Sequence, residues 1–418
     1  MSHVSARIPD STDVAEPTAQ QAGPPRPGTL WHRLVGRTRS GELGSLPVIA
    51  GLVIVWAIFE AINPVFLTSR NLVQLMIQMS PIGVIALGIV LTLLVGQIDL
   101  SVGSMSGVSA AVAAILFIER GWPVGIAVIV AILSGTLVGL IYAAAFNRFG
   151  VPSFVATLAG LLTLLGIQLR LLGNSGSVNI PFKSFLGQFG NVAFLPYWLS
   201  YLIAVAAALI VLLSSWSLRR AQRSAGLPAG SMRAVVTRAT LTLILLVVAT
   251  WYLNRDRGIA WIFMFFVALV VALDYLLCRT KWGRSVYAVG GNVEAARRSG
   301  IKVERIYLSA FVACSTLAAL GGVLFAAYDV SASNQTGTGD VNLDAIAAPV
   351  IGGVSLFGGR GRSYAALLGM LVIQSISNGL ALISPSPDLL YIVTGVVLLL
   401  AVGLDSVARR SRKSSGRA

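Results

Sequence analysis

A chain of 418 residues that is 56% hydrophobic and only 11% charged, where a soluble domain carries roughly 25% charged residues, is a polytopic membrane protein of the all-α class. Its net charge of +15 does not point to nucleic acid, because the cations fall in short loops between apolar runs, where membrane topology places them. Cys278 and Cys314 lie in or beside apolar runs and both histidines, His3 and His32, lie in the N-terminal tail, so no disulfide framework, metal site or cofactor is indicated.

Residues 1–45 are rich in Pro, Ser, Gly and Arg and hold no apolar run long enough to be a signal h-region, which predicts a retained, disordered tail. A crossing takes roughly 20 apolar residues. On that measure spans are predicted near 46–66, 72–95, 101–118, 122–146, 153–172, 197–217, 235–252, 258–278, 306–328, 363–383 and 388–404. A further segment, 342–357, is shorter and interrupted by Pro349, Gly352 and Gly353, so a broken or half helix is expected there. The transmembrane domain then covers 46–405, with a basic tail at 406–418.

The basic residues set the parity. Arg33, Arg37 and Arg39 precede the first span. Arg219, Arg220, Arg223, Arg233 and Arg238 fill the loop after the sixth, Arg279 to Arg305 follow the eighth, and Arg409, Arg410, Arg412 and Lys413 follow the last. If all four clusters are cytoplasmic, the number of crossings is even, so 342–357 must cross, about 12 segments span the bilayer, and both termini are cytoplasmic.

In chain order, the first polar motif is Gly96 to Ser104, joining the second and third spans. Asp99 and Ser101 there suit a cap on the third span; a part in a solute or proton path is the other reading. Gly103 and Gly107, Gly135 and Gly139, and the small residues from Ala110 to Ala114 predict close helix approach. Pro152 and Ser153 suit a helix start, and Gln168 and Arg170, near the outer end of the fifth span, fit snorkelling to the interface equally with helix-to-helix hydrogen bonds or a polar pathway. Gln374 and Asn378, four apart on one face, fit either helix-to-helix hydrogen bonds or the lining of a polar pathway.

The loop 279–305 contains a short, fully punctuated helix. Asn292 caps it, Glu294 sits at the positive end of the dipole, Arg297 and Arg298 at the negative end, and Gly300 suits the left-handed stop. So few residues do not hold a helix alone in water, which calls for a second protein at the cytosolic face. Enzyme chemistry is missing from the sequence. No Gly-x4-Gly-Lys-Ser/Thr loop surrounds Lys183, Lys281, Lys302 or Lys413, there is no His-Glu-x-x-His, and no carboxylate pair falls within a predicted span.

Five stretches resemble the membrane subunit of carbohydrate ABC importers, the ribose and xylose permease family. They are Gln97 to Ser104, Val151 to Gly160, Tyr287 to Ile301, Leu343 to Ser355, and Asn378-Gly379, in the family's order. With an inserted pair of spans and Arg-rich loop around 217–257, the chain is most similar to the xylose-type permeases. The resemblance implies a type II-like ABC importer permease that carries a monosaccharide such as xylose and is not itself an enzyme. It implies a bacterial inner-membrane location and three partners: a cytosolic ABC ATPase, an extracytoplasmic sugar-binding protein and a second permease copy. It also implies that Gly291, Asn292, Glu294, Ala295, Ala296, Arg297, Ser299 and Gly300 form the coupling helix that docks on the ATPase. Asp99, Ser101, Pro349, Gly352, Gly353, Gln374 and Asn378 are the candidates for the pathway. The rival expectations are an ion-coupled secondary sugar transporter and an ABC permease for branched-chain amino acids.

Overall fold

Apolar runs with no water to satisfy their amides must bond internally, and here they do so as helices. The computed structural model describes residues 46–228 and 230–383, with isolated positions 392, 395, 396 and 399. The predicted tails, and nearly all of the predicted span 388–404, lie outside the described residues.

The helices are α1 (Leu46–Ile62), α2 (Ser69–Leu94), α3 (Val102–Ala114, continued by a π-turn to Glu119), α4 (Val124–Phe149), α5 (Ser153–Leu172), α6 (Phe185–Asn191), α7 (Tyr197–Ser224), α8 (Met232–Leu253) and α9 (Trp261–Arg279). They continue as α10 (Lys281–Gly291), α11 (Val293–Arg298), α12 (Val303–Asp329), α13 (Asp340–Ile351) and α14 (Tyr364–Ile383). Among the described residues nine helices are long and apolar enough to cross a membrane. A three-residue antiparallel pair, β1 (Ser177–Asn179) with β2 (Ser331–Ser333), in register Val178 to Ala332, is the small departure from an all-helical fold.

Interhelical bonds sort the ends onto two faces. On one, Gly359 N–H donates to Leu94 O at 2.8 Å and Asn147 Nδ2 to Glu304 O at 2.9 Å, gathering the end of α2, the α4–α5 turn and the start of α12 near α10 and α11. On the other lie the sheet, the α1–α2 turn and the end of α14, where Asn63 Nδ2 donates to Leu382 O at 3.1 Å. The segment 342–357 does join the two faces, from β2 on one to Gly358 and Gly359 on the other. At 1.5 Å per residue α13 covers only about 18 Å; irregular chain supplies the rest. α13 also begins two residues earlier than the apolar run, which places Asp340 and Asp344 one turn apart on the same helix.

The core is built around α2, whose stretch from Gly83 to Val95 is apolar but for Thr92 and fully buried. Glycines let neighbours reach its backbone. A Cβ at Gly88 would collide with the Cys314 backbone of α12, and one at Gly83 with the Phe266 ring of α9. The predicted close approach at Gly135 and Gly139 is likewise present: both lie against the α12 backbone, at Ser315 and at Phe311 and Val312.

Two polar expectations change. Asp99 Oδ1 accepts from Ser101 N–H at 2.9 Å and Ser101 Oγ at 2.7 Å, ahead of the helix rather than on its free amides, and Ser101 makes no side-chain cap. The Gly103 amide instead donates to Asn342 Oδ1 of α13 at 2.6 Å. Gln168 does not snorkel. It is wholly buried, and its Nε2 donates to Ser333 O and Thr336 O, each at 2.9 Å. Arg170 remains exposed. Both changes share a cause: residues 95–101 and 334–339 dip between helices, and their backbone groups must find partners there.

Candidate coupling helix and polar seam

α11 is only six residues long, and every device that defines its ends is in place. Asn292, extended at φ −159°, accepts from Ala295 N–H through Oδ1 at 2.9 Å. Glu294 pairs with Arg297 at 3.2 Å. At the other end Ile301 N–H donates to Ala296 O at 3.1 Å and Gly300 N–H to Arg297 O at 3.0 Å, with Gly300 at φ +84°, the paired bonds of a Schellman stop.

The helix is also held on a rigid mount, α10, a second helix in this loop beyond the one the sequence predicts. Thr280 Oγ1 caps α10 by accepting from Gly283 N–H at 3.1 Å, Trp282 Nε1 donates to Ser309 Oγ of α12 at 2.8 Å, and Tyr287 OH donates to Gly361 O at 2.7 Å. Burial pushes the Tyr287 phenol up to about 12, so it stays a donor at neutral pH. Gly290 lies directly on Leu94 O and Gly359 N. Of the predicted coupling residues, Ala296 faces inward and is buried. Gly291, Asn292, Glu294, Ala295, Arg297, Ser299 and Gly300 are exposed together, with Arg298 beside them. A rigidly mounted helix with one anchoring residue and an open polar surface can transmit displacement to whatever docks on it.

The second feature runs between α2 and α14. Gln374 Nε2 donates to Gln78 Oε1 at 3.1 Å, and Asn71 Nδ2 donates to Asn378 Oδ1 at 2.7 Å. Gln74 stands between these rungs on the same face of α2, half-buried like Asn71 and Gln78. At the sheet face the seam opens into a cavity of about 430 Å³ lined by Val65, Thr68, Arg70, Asn71, Gln74 and Arg257, a volume in the range of small-molecule sites, roughly 300–1,000 Å³.

The other predicted pathway residues do not join the seam. Asp99 and Ser101 form a separate buried cluster that the Cys314 thiol also reaches. Pro349 and Gly352 are buried near the end of α13, Gly352 against Ala365, while Gly353 is exposed with φ +100°.

A capped helix on one face and an amide-lined seam between α2 and α14 suit a transport subunit, and comparison with known proteins identifies the family. Residues 71–402 match the model of the branched-chain amino acid transport system / permease component family. The chain belongs to this family. The permease is 34% identical over 378 residues, 89% of this chain and 94% of the relative, to the xylose transport system permease protein XylH of Escherichia coli K12. It is 32% identical over 379 residues, 88% and 98% of the two chains, to XylH of Haemophilus influenzae. The ribose import permease protein RbsC of Escherichia coli K12 is 32% identical over 370 residues, 88% and 95%. No solved structure matches. The permease is thus a multi-pass membrane protein of a bacterial transport family.

Sequence reasoning missed Asn71, Gln74 and Gln78, although their spacing of three, then four, is the signal that singled out Gln374 and Asn378. It also missed Asn342, whose role depends on a glycine 239 residues away.

Proposed function

We propose that this permease forms the translocation pathway of an ATP-driven importer for a monosaccharide, a pentose such as xylose, in the bacterial cytoplasmic membrane. Its partners are a cytosolic ATPase docked on α11, an extracytoplasmic sugar-binding protein at the sheet face, and a second copy of the chain. The observation that carries this reading is α11 itself, too short to persist alone yet fully capped, mounted on α10 and exposed. ATP binding would close the ATPase pair, move α11 and α10 together, and tilt the helices tied to them through Trp282, Tyr287 and Gly290. The basic loops then lie in the cytoplasm and the sheet outside. The choice of a sugar follows XylH and RbsC, which cover most of the chain, rather than the broader family description.

The pathway we assign is the α2–α14 seam, with Asn71, Gln74, Gln78, Gln374 and Asn378 offering amide donors and acceptors in series. Weak sites suit transit, since a solute must leave as readily as it enters. Asp99 and Ser101, wholly enclosed, are assigned to structure. The test is reconstitution with the ATPase and binding protein in liposomes: sugar uptake should require ATP, and Gln374→Leu should lower uptake while basal ATP hydrolysis persists.

One observation favours a second reading. Asp344 on α13 is buried, and its Oδ1 lacks a hydrogen-bond partner, the kind of group ion-coupled carriers use. Uptake that survives ATP depletion but dies with the ion gradient, and that Asp344→Asn abolishes, would replace the ATP-driven reading.

A further inference from the structure

The hairpin of α7 and α8 carries a feature that transport leaves unexplained. With 28 residues, α7 is about 42 Å long, more than the roughly 30 Å hydrocarbon layer, so its last turns reach the headgroups on the α11 face. There the end of α7 and the start of α8 part around a cleft of about 220 Å³, lined by Ser215, Arg219, Gln222, Ser231 and Arg238 among others. The Arg219 Nε is enclosed in it and has no hydrogen-bond partner.

Among the described residues no ion pair neutralises this charge. Arg219, Arg220, Arg223, Arg233 and Arg238 crowd one end of the hairpin, and no Asp or Glu occurs from Tyr197 to Arg255. The hairpin is bonded to the body at the opposite end, through Tyr252 OH to Leu67 O at 2.9 Å and Ser69 Oγ to Leu253 O at 3.2 Å. Leu218 lines the cleft, and in the adjoining turns Leu213, Trp216 and Val236 are exposed. A guanidinium whose Nε is buried without a partner, at the crowded cationic end of the hairpin, calls for an anion. An apolar surface beside it, with Trp216 at interfacial depth, calls for one that carries acyl chains.

We propose that this cleft binds the phosphate headgroup of an anionic phospholipid, with Arg219 and Arg238 as the phosphate ligands, Ser231 and Gln222 as donors beside them, and acyl chains along Leu213, Trp216 and Val236. The site fixes the free end of the hairpin in the inner leaflet and is independent of the cargo.

The test uses the full-length chain, purified in detergent, delipidated, and analysed by native mass spectrometry after titration with phosphatidylglycerol, phosphatidylethanolamine or inorganic phosphate. Phosphatidylglycerol should bind in preference to phosphatidylethanolamine and survive millimolar phosphate. Arg219→Gln with Arg238→Gln should lower its occupancy about tenfold or more, since each basic side chain near the surface contributes about 1 kcal/mol. Arg170→Gln, distant on α5, should leave it unchanged, and melting temperatures in detergent should confirm that all variants are folded. Equal retention of both lipids, displacement by free phosphate, or undiminished binding by the double variant would overturn the proposal. So would a double variant that keeps its lipid and loses the ATPase subunit, because the arginines would then serve a protein.

Discussion

Gly300 and Asn292 carry α11 between them. The Gly300 φ of +84° costs a residue with a Cβ about 1–2 kcal/mol, so Gly300→Val should unravel the Schellman stop, and Asn292→Ala should cost about 1 kcal/mol of helix through the lost cap. Both should reduce ATP-dependent uptake severalfold with normal membrane insertion, measured by transport alongside quantitative blotting of membranes. Tyr287 gives a pH signature. Its folded pKa lies above its ordinary value of 10, at about 12, so the stability it contributes is intact below pH 10 and is lost as pH rises from 10 toward 12. Thermal melting of the purified permease should therefore show no pH dependence from Tyr287 at pH 6–9, where Tyr287→Phe lowers the melting temperature by a constant amount, and a decline above pH 10 that Tyr287→Phe lessens.

Among the elements, α11 was the most legible, because cap, dipole charges and stop are all local in sequence. The mount beneath it was not. α10 depends on Trp282 and Tyr287 finding Ser309 and Gly361, 27 and 74 residues away, and no local pattern announces that. The seam was half legible: amide spacing found α14, and the same spacing would have found α2. The dips at 95–101 and 334–339 could not be read from hydropathy, since their partners, Asn342 for Gly103 and Ser333 and Thr336 for Gln168, are set only by packing. Gly290 tests the mount. A Cβ there meets the Leu94 carbonyl and the Gly359 amide, so Gly290→Val should displace α10 and uncouple ATP hydrolysis from uptake. Substrate-stimulated hydrolysis measured beside transport would show the ratio fall.

Across the whole molecule, composition alone identified the membrane class, and charge parity required 342–357 to cross; the segment forms a twelve-residue helix with irregular extensions that joins the two faces. The arrangement makes α2 a central post, with the seam on one side and the α10–α11 mount at its end, so that in the proposed mechanism motion at the mount would reach the seam through α2 and the 352–363 loop. The account stands or falls on what α11 touches. Amide hydrogen exchange of the purified permease, alone and with the proposed ATPase subunit added, measures this directly. The account predicts that amides of residues 293–300 exchange at least tenfold more slowly in the complex, while those of 334–339 at the sheet face do not change. Equal exchange at 293–300 with and without a bound ATPase, or protection appearing at the sheet face instead, would contradict it.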